Sequence, residues 1–226
     1  MATNISDWYS NIIKSIPGLP YPALIEAGRK ASREFCKETW LWKYTLDLID
    51  VVADTSAYSL TIPAALYADL EAIPDDGVRS KKDGLDEDQF GGLECTSESE
   101  LDATSPNWRY KTHPTPSMFY VDNVNKNVNL VYTPEDASTE GLEVSVILKP
   151  SRTSTVVPDF LYDDYEEVID AGILTRLFNQ KSESWYDPVE AGRQEVMFRN
   201  GCNDAKIKRF TGKTNKPTNI KMRFFA

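Results

Sequence analysis

The spacing of apolar residues changes twice along the chain, and this constrains the fold more than any other feature of the sequence. Up to about residue 40, and again after residue 158, apolar side chains recur every three or four residues, as on one face of an α-helix. Between residues 41 and 150 they alternate with polar ones, as in a strand with one buried face. Helices on both sides of a β segment predict an α+β protein.

Two helices are predicted in the first 40 residues. A first short helix is expected to be capped by Ser6 or Asp7. Its apolar positions share one face: Trp8, Ile12, Ile13 and Ile16. The second helix is predicted over Tyr21–Thr39, with Pro22 in its first turn. Its stripe recurs every three or four residues: Leu24, Gly28, Ala31 and Phe35.

Two more helices are predicted after Pro158. Asp159 is expected to cap the first of them, which runs to about Asn179. The last helix is predicted to begin at Asp187-Pro188-Val189-Glu190, because this run offers an N-cap acceptor, a proline at the first helical position and a glutamate in the first turn. Its buried side is expected to hold Phe198, Cys202 and Ala205, and Gly212 is expected to end it.

The segment between the helices predicts five to seven strands. Alternation or short apolar runs place them near residues 42–48, 58–62, 118–121, 128–132 and 142–148. The third and fourth of these are expected to form a hairpin across the turn-rich run DNVNKN. A long acidic loop, residues 74–106, interrupts the strands, and we expect a short helix within it near residues 85–93.

These patterns divide the chain into four predicted parts. The predicted fold is a helical bundle, in which N-terminal helices pack with a C-terminal helix pair, with an inserted antiparallel β domain and an extended C-terminal arm. The parts are residues 1–40 (N-terminal helices), 41–157 (β-rich domain), 158–205 (closing helices) and 206–226 (basic arm, with the last helix continuing to about residue 211).

Charge is distributed unevenly between the body of the chain and its end. Residues 206–226 hold seven of the 25 Lys and Arg and no acidic residue, which leaves 18 basic against 35 acidic residues before them, a net charge of −17. An acidic body repels nucleic acid, because phosphate neutralisation supplies most of the non-specific affinity. The basic end is therefore either a solvated terminus or an arm that docks on an acidic partner or on nucleic acid.

No motif in the sequence indicates a catalytic, metal or cofactor site. Phosphate-binding, dinucleotide-binding, zinc-protease and nucleophile-elbow motifs do not occur. Cys36, Cys95 and Cys202 are widely spaced and His113 is the only histidine, so we expect reduced thiols, no metal and no cofactor. The run DEDQFGG starts like a calcium loop but has Phe90 and Ser97 where oxygen ligands are required.

An enzyme remains an alternative on the basis of the acidic clusters. Paired carboxylates for glycan hydrolysis could come from Asp75-Asp76, from residues 86–88 or from residues 163–167. Trp40, Trp42 and Trp108 could form a sugar platform, although core and interface roles are more frequent for tryptophan. No run of about 18 apolar residues and no signal peptide occur, so we expect a protein of a cytosol-like compartment.

The order of features along nearly the whole chain carries a resemblance to a known family. The stretches concerned are residues 24–40 (LIEAGRKASREFCKETW), 57–63 (AYSLTIP), 108–116 with 119–120 and 128–134 (VNLVYTP), 158–178 with the run Ile169-Asp170-Ala171-Gly172, 185–188 (WYDP) and Phe198. In this order they resemble the head-to-tail adaptor (connector) proteins of tailed bacteriophages. They are most similar to the tail tubular protein A-like and head-completion adaptors. The long acidic loop and the pronounced basic arm depart from the family pattern.

The resemblance implies a structural virion protein rather than an enzyme. Such adaptors bind the portal protein after DNA packaging as a ring of about twelve copies, extend the DNA channel and form the platform for the next tail component, a nozzle or tail-tube protein. The location implied is the virion, at the head–tail interface, after assembly in the host cytoplasm. Genomic DNA would pass through the channel without sequence-specific binding, which suits an acidic lumen.

The basic arm is the predicted site of portal docking. Its cations would match an acidic portal surface, and its aromatic pair would act as an apolar anchor. The predicted docking residues are Lys206, Lys208, Arg209, Lys213, Lys216, Lys221, Arg223, Phe224 and Phe225. A nucleic-acid-binding module acting through the same cations is the remaining alternative.

Overall fold

The chain is a mixed α+β protein with antiparallel sheets, and it divides into two compact units. We obtained a computed structural model, which describes residues 2–81, 89–122 and 126–211. The helical unit comprises residues up to Trp42, Tyr67–Asp69 and residues from Lys149 onward, and the β unit comprises Lys43–Leu66 and Leu70–Leu148. The chain therefore leaves the helical unit, forms the β unit and returns.

The helices and strands of the described residues have the following bounds. The helices are α1 (Tyr9–Ser15), α2 (Tyr21–Thr39), α3 (Glu98–Thr104), α4 (Phe160–Asp163), α5 (Glu166–Phe178) and α6 (Pro188–Thr211), with 3-10 turns at Ile5–Trp8, Ala64–Leu66 and Trp108–Tyr110. The strands are β1 (Ala2–Asn4), β2 (Lys43–Thr45), β3 (Ile49–Val51), β4 (Ala57–Ser59), β5 (Ala68–Ala72), β6 (Val78–Lys81), β7 (Phe90–Gly92), β8 (Glu94–Cys95), β9 (Thr112–His113), β10 (Met118–Asp122), β11 (Asn127–Val131), β12 (Thr133–Pro134), β13 (Ser138–Pro150) and β14 (Val156–Pro158).

Helices α2, α5 and α6 pack against one another around the core of the helical unit. Trp8, Phe35, Leu161 and Ile169 are among its fully buried side chains. Close approach of α5 and α6 depends on a glycine, because a Cβ atom at Gly201 would lie 2.5 Å from the side chain of Val168. Helices that approach this closely need small residues at the crossing point.

The β unit is organised around β13, its longest strand. β13 pairs with β2 and β6 in a six-stranded sheet that continues to β7, and β3 and β5 also pair with β13. A second sheet has the order β4-β11-β10-β8. A small separate core under this sheet is formed by Leu101, Trp108 and Val131.

Several local predictions are confirmed. Helix α2 has the predicted bounds, and α6 begins where the capping signal placed it: Asp187 Oδ1 accepts hydrogen bonds from the backbone N–H groups of Val189 and Glu190, both at 3.0 Å. The predicted hairpin is β10–β11, with Phe119 opposite Leu130. These elements are specified by signals within a few residues, and tertiary contacts did not change them.

The cap predicted for the first helix is wrong, and the one predicted after Pro158 has the right position, the N-cap of α4, without the expected side-chain hydrogen bond. Neither Ser6 nor Asp7 caps the first helix, because the chain enters it through the 3-10 turn Ile5–Trp8, and Asp159 makes no cap hydrogen bond to α4. Asp159 Oδ1 instead accepts a hydrogen bond of 2.7 Å from Thr3 Oγ1. The pairing of β1 with β14 brings these two side chains together, so a contact distant in sequence replaces the expected cap.

The helix expected near residues 85–93 is also wrong where the structure describes it. Residues 85–88 lie outside the described residues, and Phe90–Gly92 forms strand β7, since two consecutive glycines disfavour a helix. The helix of the acidic loop is α3, where Ser97 Oγ accepts from Glu100 N at 3.2 Å. The Ser97-x-x-Glu100 spacing was the usable signal. The strand expected at residues 42–48 is shorter than predicted, since only Lys43–Thr45 forms a strand, β2, and β3 begins after the predicted range, at Ile49.

Candidate docking surface on the last helix

Three of the predicted docking residues lie on the last turns of α6, and the structure gives each of them a contact within the helical unit. These residues are Lys206, Lys208 and Arg209. The other predicted docking residues lie outside the described residues: Lys213, Lys216, Lys221, Arg223, Phe224 and Phe225. The prediction for the arm therefore divides at Thr211, the end of α6.

Lys206 forms an ion pair with the last turn of α2. Its Nζ lies 2.9 Å from Glu38 Oε2, and this hydrogen bond, with the charge of Lys206, holds the pKa of Glu38 below its ordinary value. Both side chains are exposed by more than a third, so the pair contributes about 1 kcal/mol or less to stability. Lys206 thus ties α6 weakly to α2 and is not an unpaired cation.

Arg209 contacts the C-terminal end of α2. Its Nη1 donates to the carbonyl oxygen of Thr39 at 3.3 Å, and its guanidinium carbon lies 5.5 Å from the ring centre of Trp40 and 4.5 Å from that of Phe210. The last carbonyls of a helix have no partner within it and carry partial negative charge, so a guanidinium stabilises this end. Lys208 Nζ lies 5.8 Å from the ring centre of Tyr165.

These contacts assign a structural role to the start of the predicted arm. The three described cations hold the end of α6 against the helical unit, with α2 receiving two of them. Removing residues from Lys206 onward would therefore disturb the fold as well as any docking. A test of docking must keep α6 intact to Thr211.

The outer face of α6 is a second apolar stripe that sequence reasoning missed. Val189, Val196, Ile207 and Phe210 are 83%, 59%, 60% and 74% exposed. Together with polar residues at intermediate positions they follow alternating spacings of four and three residues, and we call this set the outer stripe: Val189, Arg193, Val196, Asn200, Asn203, Ile207 and Phe210. The same spacing is visible in the sequence, where the buried stripe alone is enough to predict the helix.

Two of the acidic clusters proposed for hydrolysis lie among the described residues, each within its own unit. Asp75 and Asp76 lie in the turn before β6, where Asp76 is 3.9 Å from Lys43 Nζ, whereas residues 163–167 surround the α4–α5 junction in the other unit. Residues 86–88 lie outside the described residues. A cleft of about 510 Å³ beside α2, α5 and α6 is lined by charged side chains. Several of these side chains form ion pairs with each other, as in Arg199–Glu195 and Arg176–Glu34.

One carboxyl group with a perturbed pKa was not anticipated from the sequence. Burial raises the pKa of Asp170 to about 6, against an opposing hydrogen bond from Asn11. Asn11 Nδ2 donates to Glu166 Oε1 at 2.8 Å and to Asp170 Oδ2 at 3.3 Å, and Asp170 Oδ1 is buried without a hydrogen-bond partner. Asn11 therefore bridges two carboxyl groups one turn apart on α5.

The other residues considered for a site, two tryptophans and the histidine, make contacts that belong to the fold. Trp108 is buried in the small core of the β unit, where its Nε1 donates to Asp102 Oδ1 at 2.9 Å, while Trp42 packs on the core of the helical unit. His113 is exposed, and its Nδ1 accepts from the backbone N–H of Thr115 at 3.1 Å. The described side chains include no cluster of three His, Cys, Asp or Glu that could hold a metal ion.

Comparison with models of known protein families and with curated protein sequences gives no match to this chain. Among the described helices, none has the combination of length and apolar character that a membrane span needs.

Proposed function

We propose that the chain is a structural virion protein of a tailed bacteriophage, a ring-forming head-to-tail adaptor that binds the portal protein after DNA packaging. In this role about twelve copies extend the DNA channel, and the ring presents the attachment platform for a nozzle or tail-tube protein. The fold proposed for it is the helical bundle with an inserted antiparallel β domain and a C-terminal arm. The protein has no catalytic role and resides at the head–tail interface of the virion.

The observation that carries this proposal is the order of the two units along the chain. Helices from both ends of the chain pack into one unit, and the antiparallel strands between them form most of the other. This is the order of features in which the sequence resembles the adaptor family. A helical unit offers large lateral surfaces for neighbours in a ring, and a β unit offers strand edges to a second partner.

The distribution of charge along the chain supports two parts of the proposal, the passage of DNA through the ring and the docking of the arm on a protein. The −17 charge before residue 206 disfavours adhesion of DNA to the body of the ring. The contacts of Lys206 and Arg209 with α2 assign these cations to the fold, so we place docking on the portal in the residues after α6. The docking set is then Lys213, Lys216, Lys221 and Arg223 with Phe224 and Phe225.

A pull-down with a truncation after Thr211 tests this proposal. The tagged chain is expressed with the surrounding phage genes, full length or truncated, and captured proteins are identified by mass spectrometry. We expect the full-length chain to recover a large ring-forming portal protein and the truncated chain to lose it. The truncated chain should keep a cooperative unfolding transition, because the truncation keeps the described contacts of α6 with α2 and α5.

A matched charge variant separates docking from general loss of positive charge. In one variant the four lysines and arginines after α6 are changed to Gln, and in its control four exposed lysines elsewhere are changed in the same way: Lys14, Lys37, Lys126 and Lys181. Loss of the portal in the first variant alone supports the arm. Equal recovery by both removes the role of the arm, and absence of a portal with every form, including full length, contradicts the adaptor proposal.

A glycan hydrolase is the second candidate, and the pair Glu166–Asp170 is the observation in its favour. A carboxyl group with a pKa raised to about 6 beside a second carboxyl group has the properties of a general acid. A zymogram against bacterial cell wall with the wild type, Glu166→Gln and Asp170→Asn tests it. Clearing by the wild type that both variants lose would establish the hydrolase and contradict the adaptor as the sole role.

A further inference from the structure

Helix α6 carries apolar residues on two opposite faces, and among the residues that the structure describes only the inner face packs on the core of the helical unit. The inner face holds Ala191, Phe198, Cys202 and Ala205, which are all buried. The outer stripe lies on the other side of the helix, because its members up to Ile207 are each two residues, or about 200°, from a member of the inner face, and Phe210 is five residues, or about 140°, from Ala205. A helix that is apolar on two sides is ordinarily buried on two sides. The outer stripe is therefore a surface for a partner.

The spacing of the outer stripe selects an α-helix as the occupant. Steps of four, three, four, three, four and three residues from Val189 to Phe210 have the period of 3.5 residues that characterises the seam of a left-handed coiled coil. In heptad terms, Arg193, Asn200 and Ile207 occupy a positions, and the d positions are Val189, Val196, Asn203 and Phe210. The section from Arg193 to Phe210 is about 27 Å long.

The stripe is complementary to itself when two copies run antiparallel. In that orientation each a residue lies opposite a d residue of the other helix. One register places Ile207 against Val196 of the second copy and Asn200 against Asn203 of the second copy, so apolar meets apolar and amide meets amide. The same register places the guanidinium of Arg193 over the ring of Phe210 of the second copy, a cation–π contact. By symmetry each pair occurs twice.

A parallel pair lacks this complementarity. It would place the two Arg193 side chains against each other at an a position, where two like charges repel. It would also oppose the Asn203 side chains at a d position. The arrangement of charge and polarity along the stripe therefore favours the antiparallel orientation.

We propose that the free chain forms a two-fold symmetric dimer in which the outer stripes of two α6 helices pair antiparallel, with Ile207 opposite Val196 of the second copy. Such an isologous pair is closed and does not extend into a ring, so it is a state of the unassembled chain. The proposal does not depend on the adaptor function. One helix pair is smaller than a standard interface, so we expect a dissociation constant on the order of micromolar.

Sedimentation equilibrium of the full-length chain, over concentrations on both sides of that value, tests the dimer. We expect a monomer–dimer equilibrium in the wild type and at least about a tenfold weaker dimer in Val196→Asp, because the charge would be buried in the seam. Val52→Asp is the matched control, since Val52 is an exposed valine in the β unit, 53% exposed against 59% for Val196. A wild type that is monomeric at all concentrations overturns the proposal, as does equal weakening by both variants.

Crosslinking with single and paired cysteines tests the register. In a Cys95→Ser background, which removes the exposed native thiol, Val196→Cys, Ile207→Cys and the double variant are treated with a short thiol-reactive crosslinker. The antiparallel register predicts a crosslinked dimer of the double variant alone, because position 196 faces position 207 of the second copy. Efficient dimers of both single variants would indicate a parallel pair and overturn the proposal, and no crosslink in any variant would overturn it too.

Discussion

Helices α2 and α6 are both long helices of the helical unit, yet the described part of the chain covers the apolar stripe of α2 and leaves a second stripe of α6 exposed. The buried stripe of α2 faces the core, and its other faces are mostly charged, as in Glu26 and Lys30. α6 has a buried stripe as well, but it exposes a second stripe that ends in Ile207 and Phe210. The difference separates a helix that stabilises the fold from one that also presents a surface.

A pair of phenylalanines offers the strongest test of this difference, because one lies on the buried stripe of α2 and the other on the outer stripe of α6. Phe35 of α2 is fully buried and its ring centre lies 4.9 Å from that of Tyr165, whereas Phe210 of α6 is 74% exposed. We expect Phe35→Ala to lower the free energy of unfolding by about 3–5 kcal/mol. Phe210→Ala should change it by about 0.5 kcal/mol or less.

Urea denaturation of both variants measures these values, at protein concentrations low enough for the chain to be monomeric. A loss of several kcal/mol in Phe210→Ala under those conditions would show that the outer stripe is part of the fold of one chain. The comparison between α2 and α6 would then be wrong.

Two glycines compare the inner and outer faces within α6 itself. A Cβ atom at Gly201 would lie 2.5 Å from the side chain of Val168, and one at Gly192 would meet no atom within 4 Å. We expect Gly201→Ala to destabilise the chain by about 1–3 kcal/mol through overpacking against α5. Gly192→Ala should stabilise it by about 0.5–1 kcal/mol, because alanine favours the helix.

Thermal unfolding of the two alanine variants beside the wild type gives both signs in one experiment. Opposite shifts in melting temperature support the packing described for α5 and α6. Destabilisation by Gly192→Ala would instead indicate that the exposed side of the first turns of α6 is covered.

Helix α5 contacts both α2 and α6, and its residue Asp170 makes the free energy of unfolding depend on pH. Its pKa in the folded chain is about 6, above the ordinary value of 3.8, so the folded state holds this proton more tightly than the unfolded state. The stabilising contribution is therefore complete below about pH 4 and is lost as the pH rises through about 6. Allowing for partial solvent screening, the loss amounts to about 1–2 kcal/mol.

Asp170→Asn should be more stable than the wild type above pH 6 and should lose the dependence on pH between 4 and 6. The free energies of unfolding of the two chains, measured by urea at several pH values, check this. Asp163→Asn at an exposed position of α4 is the control. A wild-type stability that increases between pH 4 and 6, by an amount that Asp170→Asn abolishes, would mean that folding lowers the pKa of Asp170 instead of raising it.

The sequence predicted those features whose causes are local. The bounds of α2 and the start of α6 follow from a proline, a cap and a stripe within the helix, and the structure keeps them. Asp159 has the predicted N-cap position, but its side chain makes no cap hydrogen bond, because β1 brings Thr3 to that carboxyl group, a contact between residues 156 apart. The α+β class was predictable from periodicity in the same way.

The site features that the sequence did not predict depend on neighbours distant in the chain or on a second face of a helix already predicted from its first face. Asp170 acquires its raised pKa through burial near Asn11, which is 159 residues away, and nothing beside it in the sequence indicates this. The role of Arg209 depends on the end of α2. The outer stripe was readable from its spacing, but a helix with one apolar face already explained the pattern.

The ion pair between Lys206 and Glu38 gives the smallest expected effect and decides where the fold ends and the arm begins. A double-mutant cycle with Lys206→Ala and Glu38→Ala should give a coupling free energy of about 0.5 kcal/mol at low salt, decreasing as salt screens two exposed charges. Because the ion pair lowers the pKa of Glu38, this stabilisation should also be lost as the pH falls through the lowered pKa and the carboxylate is protonated. An absence of coupling at every salt concentration would mean that Lys206 does not stabilise the fold and belongs with the predicted docking arm.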